Sequence, residues 1–179
     1  MNQKTTIIGL TGTNGSGKGA AAAFFMEKGF EYHSLSDVIR EELKNDNKEA
    51  TRDNLIAMGN TLRDLHGPDI LARKVMKKVR GRSIIDSIRN PMEVEFLRKQ
   101  GGFLLLAIDA PVETRYSRTK QRGRDESAQT LEEFRAKEQE EMTNEEKGQQ
   151  LQTCMQMADH VIINDDTLDS FQKKLEQFL

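Results

Sequence analysis

The residues with the clearest chemistry are Gly12-Thr13-Asn14-Gly15-Ser16-Gly17-Lys18, spaced G-x-x-x-x-G-K. Glycines this close let successive backbone N–H groups turn toward one anion. A helix start just beyond adds its positive end, and Lys18 brings a full charge to the outer phosphates of a nucleotide. The apolar run Ile7 to Leu10 precedes the loop and the small-residue stretch Gly19-Ala20-Ala21-Ala22-Ala23 follows it, so strand, cradle and helix come in the required order. The Ser or Thr that usually follows the lysine to hold Mg²⁺ is absent, with Gly19 and Ala20 in its place. A rival fingerprint overlaps the loop, because Gly15 to Ala20 also fits G-x-G-x-x-[GA] of dinucleotide-binding folds. That alternative starts about four residues too late after the strand, and the next strand ends in His33-Ser34 where an acid should meet the ribose.

Further along, Ser34-Leu35-Ser36-Asp37-Val38-Ile39-Arg40 and then Ile85-Asp86-Ser87-Ile88-Arg89 follow in order. With the loop, and with Lys18-Gly19 inside it, they resemble the small P-loop kinases that phosphorylate nucleotides, the adenylate kinase and dephospho-CoA kinase group. The resemblance spans essentially the whole chain. It implies that Arg40 and Arg89 hold the phosphate of an acceptor, which suits the chemistry: a guanidinium fork binds a phosphate bidentately and neutralises the repulsion between two approaching anions. Read alone, both are ordinary surface arginines. Ser36 and Asp37 are equal candidates to cap the acceptor-side helix. Arg52, Gly59-Asn60 and Arg63-Asp64 resemble a group of uncharacterised or deoxynucleotide-type kinases, with Arg63 a candidate contact to the acceptor's base or phosphate. The resemblance favours Asp86 as the carboxylate that orders Mg²⁺ through water; Asp109, which ends a longer apolar run, competes and is also placed to cap the helix after Pro111.

Arg115, Arg118 and Arg122 share one helical face, with Arg124 just beyond. By resemblance, Arg118 packs on the donor base and Arg122 reaches its phosphates, cations that would stabilise charge on a transferred phosphoryl group. A merely solvated basic face is the alternative.

The elements needed to position these residues are legible as well. Candidate strands are Thr5–Thr11, Phe30–Ser34, Ser83–Asp86, Phe103–Asp109 and His160–Asn164, alternating with helical patterns over Lys18–Lys28, Arg52–Leu65 and Ile70–Val79. The expected fold is α/β: one P-loop domain over 1–179 with a five-stranded parallel sheet, helices on both faces and, by resemblance, strand order 2-3-1-4-5. A helical acceptor-binding insertion is expected at about 36–80, and a short helical lid at about 119–145. Pro68, Pro91 and Pro111 each precede a helical pattern, where a missing N–H costs nothing.

Composition narrows the function classes. The 179 residues hold 27 Lys and Arg against 29 Asp and Glu, a net charge of −2, which argues against a general nucleic-acid binder. The average conceals segregation: Glu113–Arg124 carries five basic residues and one acidic, and Asp125–Lys147 nine acidic and three basic, read as a solvated helical pair. The one cysteine, Cys154, cannot form an intrachain disulfide, and His33, His66 and His160 are too scattered to suggest a metal site. With no apolar run of membrane-spanning length and no secretory leader pattern, a cytoplasmic protein acting on a small molecule is expected. The reading is an ATP- and Mg²⁺-dependent phosphotransferase acting on a nucleoside or deoxynucleoside monophosphate. Dephospho-CoA kinase is a second reading, suggested by Ala158–Asp165 but lacking the acidic base that Ser34 and Ser36 replace. A third, of another class, is a P-loop ATPase that remodels a protein or RNA–protein partner.

Overall fold

A computed structural model describes residues 6–122, 129–142 and 149–179. Five strands, β1 (Ile7–Gly12), β2 (Glu31–Ser34), β3 (Ser83–Asp86), β4 (Phe103–Asp109) and β5 (His160–Ile163), form one sheet in the order β2-β3-β1-β4-β5. Every pair is parallel, as the expected fold requires.

All of β1 is buried, because a parallel strand covered on both faces cannot alternate apolar with polar. Its odd and even positions serve different layers. Ile7 faces α2 (Leu35–Asn45), α3 (Arg52–His66), α4 (Ile70–Met76), α5 (Pro91–Arg98) and α8 (Leu151–Gln156). Ile8 and Leu10 join Phe24 and Phe25 of α1 (Lys18–Glu27) and Phe171 of α9 (Leu168–Leu175) on the other side. The remaining helices, α6 (Val112–Gln121) and α7 (Leu131–Met142), follow β4.

Three local expectations change. The cap of α2 is Ser34, whose side chain accepts from the Ser36 N–H at 3.3 Å; Asp37 falls inside the first turn and pairs with Arg40 instead. The apolar positions Leu55, Ile56, Leu62 and Leu65 predict an inward face on α3 that includes Leu65, whereas the buried face runs through Gly59, Leu62 and Arg63, and Leu65 is exposed. The first half of the acidic block is not merely a solvated helix. Phe134 of α7 is buried against Tyr116, and Glu138 takes both terminal nitrogens of the buried Arg115 at 2.6 and 3.0 Å. Of the expected lid, residues 123–128, Arg124 among them, and 143–145 lie outside the described residues.

Candidate active site

The loop between β1 and α1 takes the shape its glycines permit. Gly15 has φ +76°, and a Cβ there would lie 2.6 Å from the Arg115 carbonyl oxygen, so both conformation and space exclude a side chain. Gly17, at φ +106°, turns the chain into α1, whose first residue is Lys18. The Lys18 ammonium donates to the carbonyls of Gly12 and Thr13 at 2.8 and 2.7 Å, which folds the side chain back over its own loop. The Ser16 hydroxyl is buried without a partner among the described residues, an orphaned polar group at the cradle.

Beside the cradle, β3 ends in a short segment whose every residue has a task. Asp86 closes the strand, and Ser87 turns the chain at φ +66°, a left-handed conformation rarely held without a reason. Ile88 returns to the core, its N–H on the Leu10 carbonyl and its carbonyl accepting from the Thr11 hydroxyl. Asn90 caps α5 in a reciprocal capping box with Glu93, and Pro91 takes the first helical position. The backbone that presents Arg89 is therefore fixed from both sides. Glu93 Oε2 accepts from the N–H groups of Arg89 and Asn90 at 3.0 and 3.1 Å, while its Oε1 accepts from Arg63 Nε and Nη2 at 3.1 and 2.8 Å.

A cavity of about 1120 Å³ joins these parts. Its lining takes in Asn14 to Gly19 from the cradle, Ser36, Asp37 and Arg40 from α2, Arg63 from α3, Asp86 at the end of β3 with Arg89 beyond it, and Arg122 after α6. Of the residues expected at the site, Gly12, Thr13 and Ala20 belong to the same loop and helix start but do not line the cavity. Arg118 also stands off it, donating to the Ser16 and Asn164 carbonyls at 3.4 and 3.2 Å. Partial burial, with the positive charge of Arg122 nearby, holds the Arg118 guanidinium below its ordinary pKa. Arg40 Nη1 is held by Ser36 and Asp37 of its own helix at 2.8 and 2.9 Å, and Arg89 Nη1 meets Gln149 at 3.2 Å.

The two candidate metal carboxylates part company here. Asp109 braces the scaffold: its Oδ1 accepts from the Thr13 hydroxyl at 2.6 Å and the Ala110 N–H at 2.9 Å, with Arg115 at 3.7 Å. Asp86 lines the cavity, its Oδ2 accepting from Tyr32 and its Oδ1 from the Ser87 N–H. Burial, and the Asp86 carboxylate beside it, push the Tyr32 phenol well above its ordinary pKa, so it stays a donor. Among the described residues no three metal-ligating side chains cluster. Mg²⁺ does not need them, since it usually keeps its waters and takes one or two carboxylates plus substrate phosphates. One cavity carboxylate facing a phosphate cradle fits that habit.

Tyr32, Ser87, Gln149 and Glu93 escaped the sequence reading. Only Glu93 left a signal there, the Asn-x-x-Glu spacing that announces a capping box. Cys154 is fully buried, and desolvation pushes its thiol up, so it is a core residue.

A glycine cradle between the first strand and first helix of a 2-3-1-4-5 parallel sheet defines a P-loop nucleotide-binding fold of the type shared by small-molecule kinases. The comparisons agree. The family model of an AAA domain matches residues 8–143. A UPF0200 protein of Sulfurisphaera tokodaii is 34% identical over 97% of this chain and 95% of its own length, and one of Pyrococcus horikoshii is 33% identical over 96% and 94%. The chain belongs to this AAA-domain family and to the UPF0200 proteins. Among solved structures, TT1252 from Thermus thermophilus superposes with a TM-score of 0.60 at 19% identity, covering 97% of this chain and 96% of that one. A shikimate kinase from Bacteroides thetaiotaomicron gives 0.57 at 15% identity, covering 96% and 97%. At such identities the likeness is one of fold. The match is thus to P-loop proteins related to small-molecule kinases, broader than the adenylate kinase and dephospho-CoA kinase group.

Proposed function

We propose that the protein is an ATP-dependent phosphotransferase whose acceptor is a nucleoside or deoxynucleoside monophosphate. One observation carries the reading: a single cavity has the phosphate cradle and Lys18 on one wall, and Arg40, Arg89 and Arg122 converging from three other elements. Two anions held face to face need cations between and around them, and phosphoryl transfer asks little else of a protein beyond positioning and charge. The backbone N–H groups of residues 14–19 would hold the donor phosphates, Lys18 swinging from the Gly12 and Thr13 carbonyls to meet them. Arg40 and Arg89 would take the acceptor phosphate, and Asp86 would hold Mg²⁺ through water. When bound, Mg²⁺ supplies charge neutralisation between the donor phosphates.

The acceptor wall favours a phosphate over an alcohol. An alcohol needs a base, and where the dephospho-CoA kinase likeness calls for an acid this chain has Ser34 and Ser36, whose hydroxyls pair at 2.8 Å and both reach Ser87 at 3.3 Å. The acid that α2 does bring to the cavity, Asp37, is paired with Arg40 at 2.9 Å. A phosphate oxygen is already ionised and needs none. The closing stretch that suggested dephospho-CoA kinase does scaffold work: Asp159 accepts from the Leu105 N–H and Arg98, and Asn164 Nδ2 donates to the Ser16 carbonyl.

The test is transfer from ATP·Mg²⁺ to a panel of monophosphates. Lys18→Ala is expected to abolish it, and Asp86→Asn to lower kcat by about 10²–10³-fold, the scale of losing one preorganised electrostatic group. Arg89→Ala is expected to raise the acceptor KM and leave that of ATP unchanged. The AAA-domain match favours one rival, an ATPase acting on a macromolecular partner. ATP turnover that is independent of any monophosphate, and indifferent to Arg40→Ala and Arg89→Ala, would establish that rival instead.

A further inference from the structure

Helix α3 brings to the cavity a cation that the protein itself only half uses. Arg63 is 3% exposed and gives its Nε and Nη2 to Glu93, yet its Nη1, equally enclosed, has no hydrogen-bond partner among the described residues. Glu93 cannot turn to serve it, because it is wholly buried and its other oxygen is committed to the N–H groups of Arg89 and Asn90. Arg63 lines the cavity, whose apolar lining is Ile39, Leu55, Ile56 and Leu71 from α2, α3 and α4. One turn before it stands Gly59, where a Cβ would lie 3.0 Å from Ile39 Cδ1 and 3.3 Å from Arg63 Nη1. The missing methyl keeps clear the space next to the unpartnered nitrogen.

Apolar walls and one fixed donor suit a flat heterocycle better than a second anion. Arg63 and Glu93 together are neutral, and the carboxylate 2.8 Å from the guanidinium repels a phosphate that would also have to shed its water against Ile and Leu. We infer that Arg63 Nη1 donates to a ring carbonyl oxygen of the acceptor's base, which makes Arg63 a specificity-determining residue; the inference rests on the nucleotide-acceptor reading above. A guanidinium carries donors only, so it must meet an acceptor. Uracil, thymine, cytosine and guanine present a carbonyl oxygen. Adenine has no carbonyl: its acceptors are ring nitrogens, and where guanine carries its carbonyl oxygen adenine carries an amino group, which in the same seat sets donor against donor, an arrangement that buried sites reject strongly.

The test is kinetics and calorimetric binding with UMP, dTMP, CMP, GMP and AMP, at saturating ATP·Mg²⁺ for transfer and without donor for binding. The wild type is expected to prefer a carbonyl-bearing base over AMP. Arg63→Lys keeps a charge beside Glu93, but a single ammonium cannot serve both the carboxylate and the base. Gly59→Ala keeps both partners of the ion pair and crowds the space beside it, and its midpoint of urea denaturation, measured alongside, separates a blocked base seat from an overpacked, destabilised fold. Both are expected to lower kcat/KM for the preferred base by about 10- to 100-fold, the scale of one charge-assisted hydrogen bond, with the ATP KM within twofold and the preference over AMP collapsed in Arg63→Lys. A wild type that prefers AMP, or variants that lower all five acceptors equally, would overturn the inference and leave the phosphotransferase reading standing. A wild type that neither binds nor phosphorylates any of the five would overturn both.

Discussion

Tyr32 and Asp86 show how much a site depends on neighbours that carry no motif. The phenol donates to the carboxylate at 3.0 Å and keeps its proton well above the ordinary value of 10.0. The unfolded chain releases that proton near pH 10 and the folded chain does not, so unfolding is increasingly favoured as pH rises past that point. Denaturation measured between pH 9 and 11 is expected to show stability falling with pH in the wild type, and falling less steeply in Tyr32→Phe. Sequence alone left Asp86 and Asp109 as competitors because each ends an apolar strand. Their partners separate them: Thr13 and the Ala110 N–H occupy Asp109, whereas Asp86 looks into the cavity. Those partners come from segments up to 96 residues away, a relation that no local spacing encodes.

At the scale of elements, patterns of period two and 3.6 were readable wherever apolar residues drew them. The five strands fall within two residues of their expected ends, and α5 and α6 begin at or directly after the prolines that announce them, Pro91 and Pro111. Reading failed where a charged residue stood on an inward face. On α3 the buried stripe includes Arg63, which a hydrophobic count skips, and Leu65 drew attention to the wrong side. Arg63 is tolerated inside because Glu93, from α5, meets it there. Glu93→Gln, which leaves that guanidinium buried without a counter-charge, is expected to destabilise the fold by about 3–5 kcal/mol in urea denaturation. The α6–α7 junction is hidden in the sequence for the same reason: Arg115 shares a basic helical face, yet it is buried and clasps Glu138 while its Nη1 also approaches the Asn14 carbonyl at 3.4 Å.

For the whole molecule, a net charge of −2 conceals a cavity bordered by several cations, so ligand binding and overall charge are separate matters. A ligand that binds only the folded state stabilises it by about 2.7 kcal/mol at a hundredfold excess over Kd. For a chain of this size that is a rise in Tm of roughly 5–10 °C, expected on adding ATP·Mg²⁺ in thermal unfolding and expected to vanish in Lys18→Ala. The strand order also bears on how the protein is made. β1 stands at the centre of the sheet, yet its two neighbours, β3 and β4, begin at Ser83 and Phe103. At synthesis rates of about 5–20 residues per second, the most buried strand waits roughly 5–20 s for its second partner to leave the ribosome. Throughout that interval Ile7, Ile8 and Leu10 lack the sheet that will cover them. The nascent chain is therefore most exposed to misassociation, and most in need of a chaperone, before β4 has emerged.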